Sequence, residues 1–193
     1  MQVSIPQPQV AVVLAAGSSS RFAAGAKQFA IVDGSTLVAI AAQAALDAGG
    51  FAAVIVVAGA VSLDGMVPEG VSIVENPDWA SGQASSLQVA LRAAQGAGAE
   101  AVVVGLADQP GVTAEAWRQI SQAETDLPIV VATYDGVRGN PVRLNAEIWA
   151  ELPQEGDEGA RVLLRRRPDL VAAVACQGDA SDVDTVEDLD RWN

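Results

Sequence analysis

The sequence predicts a single α/β domain over residues 1–193, an open, mostly parallel sheet with helices on both faces. Three observations carry that expectation. Short apolar runs rich in valine recur along the chain, continuous rather than alternating, as strands buried on both faces require. Alanine- and leucine-rich stretches with helical spacing lie between them, and strand–helix–strand alternation closes as a parallel sheet. Finally, 50% of the residues are hydrophobic and only 4% aromatic, a composition suited to close layers of small side chains. A chain of 193 residues is long enough to bury one real core.

Each element can be justified in turn. Residues 10–16 (VAVVLAA), 52–59 (AAVIVVAG) and 101–107 (AVVVGLA) read as buried strands, and residues 129–134 (IVVATY) and 170–176 (LVAAVAC) as two more. Helical patterns cover residues 36–48, 85–95 and 113–123. Ser35 or Thr36 would cap the first of these, and Thr113 the third. ARVLLRR (160–166) and TVEDLDRW (185–192) also read as helical. No internal repeat, linker or low-complexity tract interrupts the pattern.

Charge and residue usage narrow the chemistry. Lys and Arg number 11 against 24 Asp and Glu, a net charge of −13. That balance argues against a nucleic-acid or anionic-membrane surface, so a polyanionic ligand must be held by local cations or by a metal ion. With no histidine and one cysteine, Cys176, the chain has no His-based zinc site, no Ser-His-Asp triad and no internal disulfide. Cys176 reads as a small buried hydrophobe. The start MQVSIPQPQV lacks the basic and apolar regions of a secretory signal, and no apolar run approaches the ~18 residues of a membrane span. The cytoplasm is the expected compartment.

In an open parallel sheet, ligands bind beyond the carboxyl ends of the strands. Three segments in those places carry chemistry. GSSSRFAAGAK (17–27) follows the first strand, where glycine and short serines let backbone N–H groups approach an anion that Arg21 and Lys27 would neutralise. An ordinary connection with two solvated cations would look similar. The loop fits neither the Walker A pattern nor G-x-G-x-x-G. LADQP (106–110) sets Asp108 at a strand end, where a carboxylate can serve as a hard ligand for Mg²⁺ or simply cap the next helix. In SDVDTVEDLDRW (181–192), Asp184 is the carboxylate best placed to face the crevice, with Asp182 as the alternative and helix capping as the plainer role. Two such carboxylates, one Mg²⁺ and Lys27 would together support in-line substitution at phosphorus without histidine.

These residues resemble a known family. LAAGSSSRFAAGAKQF is similar to the LAAGxSxRMGxxK signature of MobA-like nucleotidyltransferases, NPDWASGQASSLQVAL to NPxWxxGMxSSL, and GLADQP to GDQP. YDGVRGNPVRL, GDEGARVLL and DVDTVEDL follow in the family order, and the likeness is greatest to the molybdenum cofactor cytidylyltransferase branch. The resemblance implies a Rossmann-like, nucleotide-diphospho-sugar transferase-like fold. It also implies transfer of CMP from CTP to the phosphate of molybdopterin, with Mg²⁺ as cofactor, release of pyrophosphate, and a transient molybdoenzyme or chaperone partner. Carried over by position, Leu14, Ala15, Ala16 and Gly17 would wrap the nucleotide. Arg21 and Lys27 would bind the triphosphate, and Asn76, Ser81, Gly82 and Ser85 would line the base and ribose side. Asp108 and Asp184 would hold the metal, with Arg21, Lys27 and Asp108 as the catalytic set. Gly139, Asn140, Pro141, Asp157 and Arg161 would face the acceptor.

The chain departs from that pattern in places. Asn140 replaces the histidine of GHP, Gln83 and Ala84 replace Met and Ser, Phe22 replaces Met, and Lys27 stands one residue further along. LAAG rather than LAGG favours CTP over GTP. Guanylyl transfer and transfer to a sugar or alditol phosphate are the nearest alternatives on this fold. A non-catalytic cofactor-delivery protein and a nicotinamide-dependent oxidoreductase are alternatives of another class. Trp79, Trp117, Trp149 and Trp192 read as packing residues, and Arg165 to Arg167 as a solvated helix end.

Overall fold

Strand β1 (Gln9–Leu14) is valine-rich because it is buried on both sides: Val10, Val12 and Leu14 enter one hydrophobic layer, and Ala11 and Val13 the other. The computed structural model describes residues 8–19, 22 and 25–192. After β1 come a two-residue hairpin, β2 (Ile31–Val32) and β3 (Ser35–Thr36), then helix α1 (Leu37–Ala48), β4 (Ala53–Ala58) and β5 (Val71–Glu75). Helix α2 (Gln83–Gly96), β6 (Ala101–Leu106), α3 (Ala114–Ser121), β7 (Ile129–Tyr134), β8 (Val137–Asn145), α4 (Arg161–Arg166) and β9 (Val171–Ala175) complete the series.

One sheet of seven strands has the order β5-β4-β1-β6-β8-β7-β9. Every strand in it is parallel to β1 except β8, which runs antiparallel to both β6 and β7. Helix α2 covers one face through Leu87, Ala90, Leu91 and Ala94. Helices α1 and α3 cover the other through Val38, Ala41, Ala45, Ala116, Trp117 and Ile120. Small residues allow this close layering: a Cβ at Gly105 of β6 would lie 2.4 Å from the Trp117 ring. The fold is therefore the expected α/β, Rossmann-like one, with five predicted strands and three long helices displaced by at most two residues at their ends. Thr36 rather than Ser35 caps α1, accepting from the Ala39 N–H at 3.3 Å, and Thr113 caps α3.

Four strands were not expected: β2 and β3 of the small hairpin, and β5 and β8 of the main sheet. β5 is a short edge strand, half-buried at Val71, Ile73 and Val74 and exposed at Ser72 and Glu75. β8 contains Gly139 and Pro141, which ordinarily break strands. Its entry is a two-residue turn at Asp135 (φ 50°) and Gly136 (φ 81°), the left-handed pair that joins antiparallel strands. Proline is tolerated because the ladder skips it: Val131 pairs with Val142 and Ala132 with Gly139, which leaves Asn140 and Pro141 in a bulge. The segment expected as a last helix forms only a short 3-10 turn at Glu187–Arg191. Among the described residues, no helix is long and apolar enough to cross a membrane.

Candidate active site

Beyond the carboxyl ends of β1 and β6 lies a cleft of about 370 Å³. Its floor is the loop after β1, a segment built around a residue that sequence reasoning passed over. Gln28 is only 3% exposed. Its Nε2 donates to the carbonyls of Ala15 (2.9 Å) and Gly17 (2.6 Å), and its Oε1 accepts from Ser19 Oγ (2.9 Å). Ser19 Oγ in turn accepts from the Lys27 N–H at 2.9 Å. Among the described residues, the backbone N–H groups of Ala16, Gly17 and Ser18 donate to no protein acceptor. Arg21, expected to reinforce this loop, lies outside the described residues.

The same cleft holds a charge cluster. Lys27 Nζ donates to Asp108 Oδ2 at 2.5 Å and to Asp184 Oδ1 at 3.1 Å. Burial alone would lower the Lys27 pKa, but the charges and hydrogen bonds of Asp108 and then Asp184 outweigh it and raise the ammonium above its ordinary value. Asp108 sits here because β6 ends at Leu106, two residues before it. Asp184 arrives on a strap from the C-terminal end of the chain. Val183 N–H donates to Asp108 O at 2.8 Å, and the fully buried Val183 side chain packs with Phe22, Val32 and Leu37. Asp184 is not a helix cap. Instead Asp188 Oδ2 accepts from the N–H groups of Asp184 (3.0 Å) and Thr185 (2.8 Å), while Thr185 Oγ1 accepts from Asp188 N–H, a reciprocal capping box. Asp182, also in the cleft, accepts from Gln109 Nε2 at 2.7 Å. Burial, then the Asp108 charge, pushes the Asp182 carboxyl upward.

Of the residues expected to form the site, Leu14, Ala15, Ala16, Gly17, Lys27, Gly82, Asp108, Asp157, Arg161 and Asp184 do line the cleft. Asn76 and Ser85 are buried behind the lining, whereas Ser81 is exposed and does not line the cleft. Buried Asn76 donates to Ser85 Oγ and Ser86 Oγ, both at 2.9 Å, and thereby fixes the turn before α2. Gly82 (φ 106°) admits a second segment against that turn, since a Cβ there would lie 2.5 Å from the Gly156 backbone. Ala84 N–H donates to Gly156 O, and Gly156 N–H to Ser81 O. Asp157 and Arg161 reach the cleft through this docking.

Asn140 lies in an adjoining, smaller and largely aliphatic recess that shares Leu14, Gln83, Leu106 and Arg161 with the cleft. Its Nδ2 donates to Gln109 Oε1 at 3.0 Å, and its carbonyl accepts from Tyr134 Oη at 2.7 Å. Gly139 packs on Tyr134 and Ala180, away from the lining of either space. Trp117, Trp149 and Trp192 are packing residues, as expected, whereas Trp79 both packs and lines the cleft.

The donor set suits a small divalent cation. Asp108 Oδ1 is buried without a hydrogen-bond partner among the described residues, and Asp184 places a second carboxylate oxygen on the same ammonium. No group of three His, Cys, Asp or Glu side chains forms a ready cage among the described residues. That fits Mg²⁺ or Mn²⁺, which take one or two carboxylates and complete their shell with phosphate oxygens and water.

A mostly parallel sheet, a loop of unengaged N–H donors after its first strand, and a lysine–carboxylate cluster in the same cleft make an anion-binding site at the carboxyl end of an α/β sheet. A solved nucleotidyl transferase from Methanothermobacter shares the fold, with a TM-score of 0.80 at 22% identity over 95% of each chain. The chain belongs to the MobA-like NTP transferase family, whose domain matches residues 11–171. It is also similar to Rv0371c of Mycobacterium tuberculosis, at 28% identity and a TM-score of 0.82 over 97% of this chain and 98% of that one. Rv0371c has also been solved in complex with manganese. The nicotine blue oxidoreductase of Paenarthrobacter nicotinovorans is 34% identical over 93% of this chain and 94% of its own length.

Proposed function

We propose that the protein transfers CMP from CTP to the terminal phosphate of molybdopterin and releases pyrophosphate. The observation that carries this reading is Lys27 held between Asp108 and Asp184 in the cleft that Ala16, Gly17 and Ser18 also line, their N–H groups unengaged among the described residues. Those N–H groups and Lys27, with Arg21, bind the triphosphate and offset charge at the α-phosphorus and on the leaving pyrophosphate. Asp108 and Asp184 would hold a divalent cation, Mg²⁺ by preference, and bound there it would supply charge neutralisation for the phosphates.

Asn140, Asp157 and Arg161 receive the acceptor. One of its phosphate oxygens attacks the α-phosphorus in line while the bond to the bridging oxygen of pyrophosphate breaks. An acceptor phosphate is already anionic at neutral pH, so the chain needs no histidine base. The choice of CTP rests on the LAAG loop: Ala16 is buried, and its methyl closes on Gly59, where an added Cβ would lie 2.8 Å away. The reaction belongs to the cytoplasm, with a molybdoenzyme or its chaperone taking the product.

Pyrophosphate release with each of the four nucleotides, with and without molybdopterin, tests the proposal. CTP with molybdopterin should be the productive pair, and Lys27→Ala should lower kcat/KM by about 10²–10³-fold, the usual cost of removing a donor to developing charge. An unchanged rate in Lys27→Ala would sink it. A second reading, an oxidoreductase that uses the same cleft for a nicotinamide cofactor, is favoured by the 34% identity to nicotine blue oxidoreductase. Oxidation of NADH or NADPH with a dye acceptor, without pyrophosphate release from any nucleotide, would replace the first reading with the second.

A further inference from the structure

We propose that Gln28 is the positioning residue of the phosphate loop: it holds two loop carbonyls from one side so that the neighbouring N–H groups are presented to a triphosphate. The inference rests on the nucleotide reading above and says how the loop is made ready for it.

The geometry follows from the planarity of the peptide unit. In a trans peptide the carbonyl and the N–H of the next residue point in opposite directions, and the one cis peptide among the described residues is Asn140–Pro141, outside this loop. A carbonyl of Ala15 drawn to Gln28 Nε2 at 2.9 Å therefore turns the Ala16 N–H away from that amide. A carbonyl of Gly17 drawn to the same nitrogen at 2.6 Å does the same for the Ser18 N–H. Neither N–H finds an acceptor among the described residues.

The amide itself has no freedom to turn. Both hydrogens of Nε2 are engaged, Oε1 accepts from Ser19 Oγ at 2.9 Å, and a flip would set Oε1 against two carbonyl oxygens. Ser19, at φ 57°, links the clamp to the lysine by accepting from the Lys27 N–H. One buried side chain thus sets the loop donors and, through Ser19, the start of the turn that carries Lys27. Anion binding to donors already oriented avoids the cost of reorganising them.

The test uses Mg²⁺–tripolyphosphate as probe, so that base and acceptor do not enter. Gln28→Met keeps the length and neutrality of the side chain but has no donor, and Ser19→Gly removes the hydroxyl while accepting the positive φ. Both are measured at a temperature where their melting curves show them folded. Wild-type protein should bind the probe with downfield shifts of the Ala16 and Ser18 amide protons. Gln28→Met should bind about tenfold more weakly or worse and lose those shifts, and Ser19→Gly should weaken binding about threefold. Should Gln28→Met fail to fold, the Ser19→Gly affinity and amide shifts decide. Binding within a factor of about two of wild type, with the shifts retained, overturns the role of Gln28. Absence of probe binding by the wild type overturns the nucleotide reading itself, and this inference with it.

Discussion

Lys27 occupies the place that a divalent cation would share. Its Nζ is within hydrogen-bond reach of carboxylate oxygens of both Asp108 and Asp184, and its side chain is 17% exposed, so one ammonium offsets only part of the charge of two carboxylates in a partly desolvated setting. Because those carboxylates raise the Lys27 pKa, the stability of this contact is fully present below the ordinary lysine value of about 10.4 and is lost only as pH rises beyond it. Cation binding without a triphosphate must therefore displace an ammonium, whereas a triphosphate offers that ammonium a new partner. Lys27→Met should bind Mn²⁺ about tenfold more tightly than wild type in the absence of nucleotide, read from the paramagnetic resonance of free Mn²⁺. The same variant should melt lower than wild type without metal and recover when Mn²⁺ is added. An equal or weaker Mn²⁺ affinity would show that the lysine does not guard the site.

Helix α3 shows how an element far from the chemistry is held. Thr113 caps its start, and at its end the buried Arg143 of β8 donates from Nη1 to the carbonyls of Ser121 (3.1 Å) and Ala123 (3.0 Å). Burial lowers the Arg143 pKa, and the C-terminal carbonyls of the helix compensate by facing its charge. Arg143→Met should cost about 1–3 kcal/mol, because the Ala123 carbonyl would lose its side-chain donor, while that of Ser121 would keep Gln9 Nε2 at 3.0 Å. Urea titration should show a lower midpoint with an unchanged slope. Arg143 also marks where sequence reasoning stops. The caps Thr36 and Thr113 and the valine strands were legible because the signal is local. β8 was not, because Gly139 and Pro141 read as loop residues and only the pairing of Val131 with Val142 shows that they occupy a bulge. The Asp135-Gly136 pair was a readable hairpin sign. Arg143 itself looks like any surface arginine until β8 is placed beside α3.

At the scale of the whole molecule, the parallel topology made the site legible, since it gathers loops after β1 and β6 at one end of the sheet whatever their separation in sequence. The cross-chain contacts that finish the site were not legible: Gln28 beneath Gly17, Gly156 on Gly82, and the C-terminal strap over Asp108. Net charge adds a property that no single contact has. A chain at −13 concentrates like charge when it folds, and four of its acidic side chains, Asp108, Asp157, Asp182 and Asp184, line one cleft. Salt screens such repulsion more than it weakens the partly buried Lys27 pairs, because the Debye length falls from about 30 Å at 0.01 M to about 8 Å at 0.15 M. Raising NaCl across that range should therefore raise Tm by about 2–5 °C. Salt should also leave unchanged, or speed, the association of an anionic nucleotide, the reverse of the slowing seen at basic anion-binding surfaces. A Tm that falls with added salt would mean that exposed pairs such as Arg167–Asp169 and Arg165–Glu158 outweigh the global repulsion.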